Sequence, residues 1–457
     1  MIKLYNTMSL KAEEFKPRVP GQVSIYSCGP TVYDFAHIGN LRAFVNSDIL
    51  RRMFIANGYR VNNTINITDV GHLVSDEDAG EDKMQKGARR EGKTAWDIAK
   101  FYEAAFRGDL RDLNIPEPAN MPRATDYIAQ QIAWVKKLED LGYTYEIPGD
   151  GIYYDTSKFP DYGKLGHQNL DELRGGARVS DAGKKNPTDF ALWKFSPTDA
   201  KRDMEWDSPW GRGFPGWHIE CSVMSAETLG AHFDIHTGGI DHIKVHHTNE
   251  IAQSEPIVGA PWVNYWLHGE FLNEKGGKMS KSKGEFLTLG LLKSKGYDPM
   301  AYRYLLLTGH YKSQLEFSWE ALDAAAAGYR NLVRKVAAAM EKGRRQKEEG
   351  RSIEINNKLL DIISNNLDTA NVLAELQAVL KSDEPDAVKL AVAKYADELL
   401  GLRLVESATR PAAEITPEIQ ALLDQRAAAR AAKDWKKSDE LRDKLAAAGH
   451  IVNDQKI

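Results

Sequence analysis

Cysteine is nearly absent: Cys28 and Cys221 are the two in 457 residues. That excludes a disulfide framework and fits a reducing compartment, so a cytoplasmic location is expected. Long apolar runs are missing, and the first residues, Met1-Ile2-Lys3-Leu4-Tyr5-Asn6-Thr7, lack the apolar core of a signal peptide. No membrane span or membrane partner is expected. A large excess of one sign of charge is also missing. The formal net charge is −5 with 27% charged residues, which excludes a global pull toward nucleic acid and leaves only local basic faces for such contacts. The glycine fingerprint of dinucleotide-binding folds is missing too. Where it would fall, the chain has His37-Ile38-Gly39-Asn40.

What is present is organised. The chain is too long for one compact core, so two to four domains are expected. Val23 to Ser27 reads as a strand, and Leu41 to Asn57 as a helix with Phe44, Ile49, Met53 and Ile55 among its apolar residues, stopped by Gly58. Tyr59, Val61, Asn63, Ile65 and Ile67 then alternate as a second strand. A strand, a helix and a strand imply a parallel sheet. Residues 71–200 are polar with helical pieces and read as an insertion. Sheet-like segments return at Phe233–His236 and Tyr265–His268, each shortly before glycine (Gly238-Gly239, then Gly269). Open α/β sheets bind ligands outside the carboxyl ends of their strands. Cys28, Thr68-Asp69, His236 and Gly269-Glu270 are therefore expected at one crevice.

After Asp298 the periodicity is helical: Leu322, Tyr329, Leu332, Val336 and Met340; then Val372, Leu373, Leu376, Val379 and Leu380; then Val388, Val392, Tyr395 and Leu399. Glu341 to Ser352 is a charged connector. Glu406 to Pro417 reads as a linker before a small basic domain.

Three patterns carry chemistry. The first is a metal set. Cys28 ends an apolar run, Cys221 closes Gly216-Trp217-His218-Ile219-Glu220-Cys221, and His246 and Glu250 stand four apart, on one helix face. Two thiolates, an imidazole and a carboxylate suit zinc. His247 is expected to face elsewhere. A complete protein ligand set is the habit of structural zinc, whereas working sites keep a position open, so both roles stand at this point. The second pattern is His37-Ile38-Gly39-Asn40 at a helix start, where free N–H groups and the helix dipole suit phosphate. The third is Lys278-Met279-Ser280-Lys281-Ser282 after Asn273-Glu274-Lys275-Gly276-Gly277. Its two lysines can close over a polyphosphate. Each of the last two alone also fits a packed histidine or a solvated basic loop.

Together the two phosphate patterns resemble the HIGH and KMSKS signatures of class I aminoacyl-tRNA synthetases. Within that class the chain resembles the cysteinyl-tRNA synthetases. The resemblance runs through Tyr26-Ser27-Cys28-Gly29-Pro30-Thr31-Val32-Tyr33-Asp34, Asn66-Ile67-Thr68-Asp69, Pro187-Thr188-Asp189-Phe190-Ala191-Leu192-Trp193-Lys194 and Ser208-Pro209-Trp210-Gly211. It continues through Pro215 to Ser222 and His246 to Ser254. It implies a Rossmann-like α/β catalytic domain over 1–320 with the connective insertion at about 71–200. A helical bundle (321–405), a linker (406–417) and a C-terminal anticodon-binding element (418–457) would follow.

The same resemblance implies roles. Cys28, Cys221, His246 and Glu250 would hold one Zn2+ that takes the substrate thiolate as an extra ligand. Cys28, Gly29, Thr68 and Trp217 would line the amino-acid pocket. Thr31, His37, Gly39, Asn40, Gly239, Asp241 and Lys281 would bind ATP with Mg2+, with Gly238 in the same stretch and Asp241 on the ribose. His37, Asn40, Lys278 and Lys281 would serve catalysis by holding phosphates. L-cysteine, ATP and tRNA-Cys would be the partners of a monomer, in a cysteine–tRNA ligase reaction. Asn366 to Ala370 resembles the helical anticodon-side domain. Arg426, Arg430, Lys433 and Lys437, spaced 4, 3 and 4 along one expected basic helix face, would contact tRNA; a solvated face is the ordinary reading of that spacing.

The chemistry of selection is sound. Cysteine differs from serine by sulfur for oxygen, and a shape-only pocket separates near-isosteres only about 10- to 200-fold. Zinc takes a thiol as thiolate, whereas an alcohol keeps its proton near neutral pH, so no editing domain is expected. The chain departs from the family pattern at Asn40, which ends the HIGH signature, and at Thr248, where many relatives are acidic. It also stops at Asp454-Gln455-Lys456-Ile457 without the aromatic and basic tail many relatives carry. Two alternatives remain open: a cysteine ligase with an amino-sugar acceptor, and a non-catalytic zinc cysteine sensor or RNA-binding module.

Overall fold

The structure, a computed structural model, describes residues 1–71, 83–168, 183–197, 202–274, 286–343, 350–409, 417–432 and 434–447. At its centre is a parallel sheet of four strands: β1 (Gln22–Ser27), β2 (Arg60–Ile65), β3 (Phe233–Gly239) and β4 (Val263–Gly269), in the order β4-β3-β1-β2. The chain leaves β1 toward β2 on one side, while β3 pairs on the other. The carboxyl ends of β1 and β3 therefore flank the point where strand order reverses, the place where such sheets open a crevice.

The helix α1 (Ile38–Ala56) links β1 to β2. His37 caps it: the backbone N–H of Gly39 donates to His37 Nδ1 at 3.0 Å. Gly58, at φ +83°, closes the other end. Leu41, Phe44, Val45, Ile49, Leu50, Met53 and Phe54 are all buried. A helix so apolar around its circumference needs cover on several sides. The sheet supplies one side. Helix Ala95–Asp112 supplies another, with Phe106 edge-on to Phe44 at 4.8 Å, and helix Asp386–Leu400 packs there too.

Asp48 sits on this buried helix. It accepts hydrogen bonds from Arg52 (2.8 Å) and from the fully buried Arg303. Arg303 also donates to the carbonyls of Leu400 and Leu113, both at 2.8 Å, and Arg52 to those of Glu398 (3.0 Å) and Asn114 (2.8 Å). One polar knot thus joins the signature helix to the ends of two helices from distant parts of the chain. A Cβ on Gly401 (φ +64°) would lie within 2.6–2.9 Å of both guanidinium groups, so the knot also requires that glycine.

The expected insertion holds helices Lys83–Glu91, Ala95–Asp112 and Ile128–Asp140, and also an antiparallel sheet the sequence reading missed. Its strands are Thr144–Ile147, Gly151–Tyr154, Phe190–Phe195 and Gly213–Pro215. The last strand carries the sheet past residue 200. The helical periodicities hold: Leu322, Tyr329, Leu332, Val336 and Met340 are buried on helix Trp319–Gly343, and Val372, Leu373, Leu376, Val379 and Leu380 on helix Thr369–Lys381. Among the described residues no helix is long and apolar enough to cross a membrane.

Candidate metal and nucleotide site

Past the end of β1 the chain turns at Cys28-Gly29-Pro30 and then runs beside the segment that follows β2. Val32 N–H donates to the Thr68 carbonyl (3.1 Å) and Thr68 N–H to that of Pro30 (3.0 Å). Gly29 is required there. Its N–H donates to Asn66 Oδ1 at 2.7 Å, and a Cβ would fall 1.5 Å from the Asn66 carbonyl oxygen. Cys221 lies in the first turn of α2 (Ile219–Leu229), and His246 and Glu250 lie on α3 (His246–Val258). Both helices begin at the crevice, so their first turns face it.

The structure brings Cys28, Cys221, His246 and Glu250 together. Their sulfur, nitrogen and oxygen donors all lie within 4.8 Å of one another, and His246 Nε2 is 2.9 Å from Glu250 Oε1. A tetrahedral zinc with bonds of about 2.0–2.3 Å holds its ligands roughly 3.3–3.8 Å apart, so a small contraction closes the group on such an ion. A second group, Cys28, His236, His247 and Glu250, meets the same limit. His247 Nε2 is 3.3 Å from Cys28 Sγ, and His236 Nε2 is 2.7 Å from Glu250 Oε2. The expectation that His247 faces elsewhere is therefore corrected. It treated α3 as a helix seen side-on. Because α3 starts at the crevice, adjacent residues of its first turn both border Cys28.

A shell of further side chains orients these donors. His218 Nδ1 lies 2.8 Å from His246 Nδ1, and the Trp217 ring stacks on His246 at 4.7 Å. His247 Nδ1 meets His268 Nε2 at 2.8 Å, and His268 Nδ1 meets Thr7 Oγ1 at 2.7 Å. Thr68 donates to Glu220 Oε2 at 2.9 Å. Partners that fix the second nitrogen of a histidine are usual around metal ligands. The sequence reading left out His218, Glu220, Asn66 and His268. A clue lay in the strand register: His236 pairs with Trp266, and His268 with Gly238.

The electrostatics is that of a crowded anionic group. Burial alone would raise Glu250, but His236 and His246 reverse this and hold its carboxyl well below the usual range. Burial alone would lower His246, but the Glu250 carboxylate and the Cys221 thiol raise it to about 10. Burial, with Cys221 and Glu250 nearby, pushes the Cys28 thiol up. The hydrogen bond from Cys28 favours the Cys221 thiolate. Protons thus hold together a set of soft and borderline donors, and one divalent cation neutralises that set better. The residues fit zinc by donor type and spacing.

On the side expected to take nucleotide, His37 and Gly39 form the cap of α1, and Asn40 N–H donates to the His37 carbonyl at 2.9 Å. Thr31 is bridged to Thr68. At the end of β3, a Cβ on Gly238 would lie 2.6 Å from the buried His247 ring, so that position needs glycine, and one on Gly239 would displace the Asp241 carboxylate, whose Oδ1 would be 2.3 Å away. A pocket lined by Asn46, Ser47, Thr237, Gly238, Gly269 and Tyr311 opens beside them. Buried Arg42, which the sequence reading missed, donates to the carbonyls of Glu270, Phe271, His310 and Ser313 and ties α1 to the chain beyond β4. Lys278 and Lys281 lie outside the described residues, as does Lys433.

Among the described residues of the C-terminal segment, Arg426, Arg430 and Lys437 do not share the single helix face that was expected. Helix Pro417–Ala431 ends, and a second helix, Trp435–Ala447, begins at Asp434, whose carboxylate accepts from Lys437 N–H at 3.1 Å. Arg426 is buried near Arg442 and Asp439, Arg430 lies 5.9 Å from the Trp435 ring, and Lys437 is on the other helix. A capping aspartate inside the run breaks the periodicity that the 4, 3, 4 spacing suggested.

Solved structures share this architecture. A Mycobacterium tuberculosis methionyl-tRNA synthetase in complex with methionyl-adenylate has a TM-score of 0.59 at 14% identity, over 85% of this chain and 92% of that one. The Agrobacterium radiobacter K84 LeuRS, in a ternary complex with tRNA and LeuAMS, has 0.61 at 11% identity, over 87% and 86%. Residues 14–327 match the tRNA synthetases class I (C) catalytic domain, so the sheet and its crevice are those of a class I aminoacyl-tRNA synthetase. Residues 412–456 match the cysteinyl-tRNA ligase anticodon binding domain. A cysteine–tRNA ligase of Burkholderia lata is 50% identical, over 99% of this chain and 95% of that protein, and one of Treponema denticola is 46% identical over 99% and 98%. The chain belongs to the cysteinyl-tRNA synthetases.

Proposed function

We propose that the protein activates L-cysteine with ATP and passes it to the 3′ end of tRNA-Cys, and that Cys28, Cys221, His246 and Glu250 hold a zinc ion that selects the substrate. The observation that carries this reading is the meeting of four metal donors with the capped start of α1 at one sheet edge. In the first half-reaction the cysteine carboxylate attacks the α-phosphate of ATP, forming cysteinyl-adenylate and releasing pyrophosphate. In the second, a ribose hydroxyl of the tRNA terminus attacks the acyl carbon and AMP leaves. No side-chain nucleophile is required, and the protein's part is positioning and charge neutralisation.

Bound zinc supplies a soft Lewis acid that accepts a thiolate and discriminates against an alcohol. His37, Asn40, Lys278 and Lys281 hold phosphates, with Mg2+ accompanying ATP. Gly239 and Asp241 take the ribose, and Thr31 and Gly39 flank the nucleotide. Gly29, Thr68 and Trp217 line the amino-acid side. Arg426, Arg430, Lys433 and Lys437 belong to the element that meets tRNA, with Arg426 and Arg430 on one helix and Lys437 on the next. The anticodon-domain match over 412–456 favours tRNA over an amino-sugar acceptor. Cysteine-dependent ATP–pyrophosphate exchange by the zinc-loaded protein tests the reading. Exchange with cysteine and not with serine is expected, and its absence would refute the reading.

A further inference from the structure

The loop between β1 and α1 carries more than the signature. It is pinned at both ends in the crevice, by Val32 N–H on the Thr68 carbonyl (3.1 Å) and by Ile38 N–H on the Leu287 carbonyl (2.9 Å). Between these anchors, two residues before His37, stands Phe35, an aromatic side chain 44% exposed. It meets Phe101, 45% exposed, at 6.0 Å and 71°, and the buried Tyr102 at 5.0 Å and 87°. Edge-to-face contacts leave broad ring faces out of the pair.

Cations surround these rings. Lys93 Nζ is 4.7 Å from the Phe101 ring centre, and Arg90 donates to Tyr102 Oη at 2.7 Å and to Asp34 Oδ2 at 3.3 Å. Arg90 and Lys93 also pair with Glu91. From Lys86 to Lys100 the sequence has five cations (Lys86, Arg89, Arg90, Lys93, Lys100) against two acids (Glu91, Asp97), in a chain whose net charge is −5. All five cations are exposed. Exposed rings interleaved with lysine and arginine suit an unpaired polynucleotide: bases stack on the rings while phosphates meet the cations. Paired bases offer no such faces, so a duplex stem fits this surface less well than a single-stranded end.

We propose that Phe35 and Phe101, with Lys93 and its basic neighbours, form a stacking platform for the unpaired 3′ nucleotides of the tRNA, placed at the mouth of the crevice where that end must react. This rests on the function proposed above and adds the surface that guides the acceptor end into it.

The test is a thermodynamic cycle. Binding of tRNA-Cys transcript, whole and lacking its unpaired 3′ nucleotides, is measured on the wild-type protein and on the Phe35→Leu/Phe101→Leu double variant. Leucine keeps apolar contact and removes stacking. Trimming the transcript should weaken wild-type binding roughly 5- to 150-fold, the worth of one stacked base, and should weaken the variant's binding far less. The KM for whole tRNA should rise by a similar factor. Phe35→Tyr/Phe101→Tyr should restore it, which a merely structural role for apolar bulk would not require.

Cysteine-dependent ATP–pyrophosphate exchange should match in all three proteins. Equal losses on trimming in wild type and variant would overturn the platform. So would an unchanged KM, or a variant that binds tRNA normally but loses a self-associated form, which would assign the face to a second copy. Absence of exchange in the wild type would refute the underlying function as well, so the two failures are distinguishable.

Discussion

Two buried polar clusters lie in the catalytic part of the molecule, and they are built on opposite plans. Around Asp48, charge is balanced by side chains and carbonyls that the chain itself supplies. Two guanidinium groups share one carboxylate, and their remaining donors go to Leu113, Asn114, Glu398 and Leu400. Those carbonyls sit at the ends of two helices, where the dipole is negative. Around Glu250 the available cations are histidines, and a second thiol crowds Cys28. The first cluster is complete without a guest. The second is held by protons that a metal can displace. Arginine marks the knot that stays shut, and titratable donors mark the one that exchanges its contents.

That contrast can be broken. The largest expected effect comes from Asp48→Asn, which leaves Arg303 buried without its carboxylate. Stability should fall by about 3–5 kcal/mol, the usual range for breaking a buried pair, with metal stoichiometry in the folded protein unchanged. Denaturant unfolding and metal analysis check both halves. Cys221→Ser should do the reverse. Metal affinity should drop by more than about 100-fold, beyond the loss typical of an outer-shell partner, and stability of the metal-free protein should stay within about 1 kcal/mol. Competition with a chelator reads the first, and unfolding in chelator the second.

The smallest effect sharpens the helix-end argument. Asp109 lies one turn before Leu113, near the end of the helix whose final carbonyls take the arginines. Burial first, and then Asp112, raise its pKa to about 7 from 3.8. The unfolded chain ionises this group first, so stability is full below about pH 4 and falls as pH rises to about 7, flattening above. Asp109→Asn should therefore be more stable than wild type at pH 8, by about 2 °C in Tm, and no more stable below about pH 4. Thermal scans under the two conditions measure it.

Local pattern carried much of this site. The α1 helix and the strands beside it were legible because apolar residues recur with clear periods, and the cysteines because two in so long a chain stand out. The antiparallel sheet was not legible. Its strands Gly151–Tyr154 and Phe190–Phe195 pair across a long sequence gap, and no local period announces such pairing. His247 was misread because helical spacing says which residues share a face but not that a helix meets its site end-on. Arg303, amid the apolar run Ala301-Tyr302-Arg303-Tyr304-Leu305, gives no sign of which carbonyls it will find. Asp434 shows the opposite failure, a period that one capping residue cancels.

The central claim is that the donor group at the sheet edge is a working metal site that reads sulfur, built on Cys28 and Cys221 together. X-ray absorption at the zinc edge counts sulfur ligands directly. The account predicts two sulfurs in the zinc-loaded protein, three after L-cysteine is added, and two still after L-serine. A single sulfur would assign the metal to Cys28, His236, His247 and Glu250 instead, and two sulfurs unchanged by cysteine would make the metal structural. Either result would contradict the account.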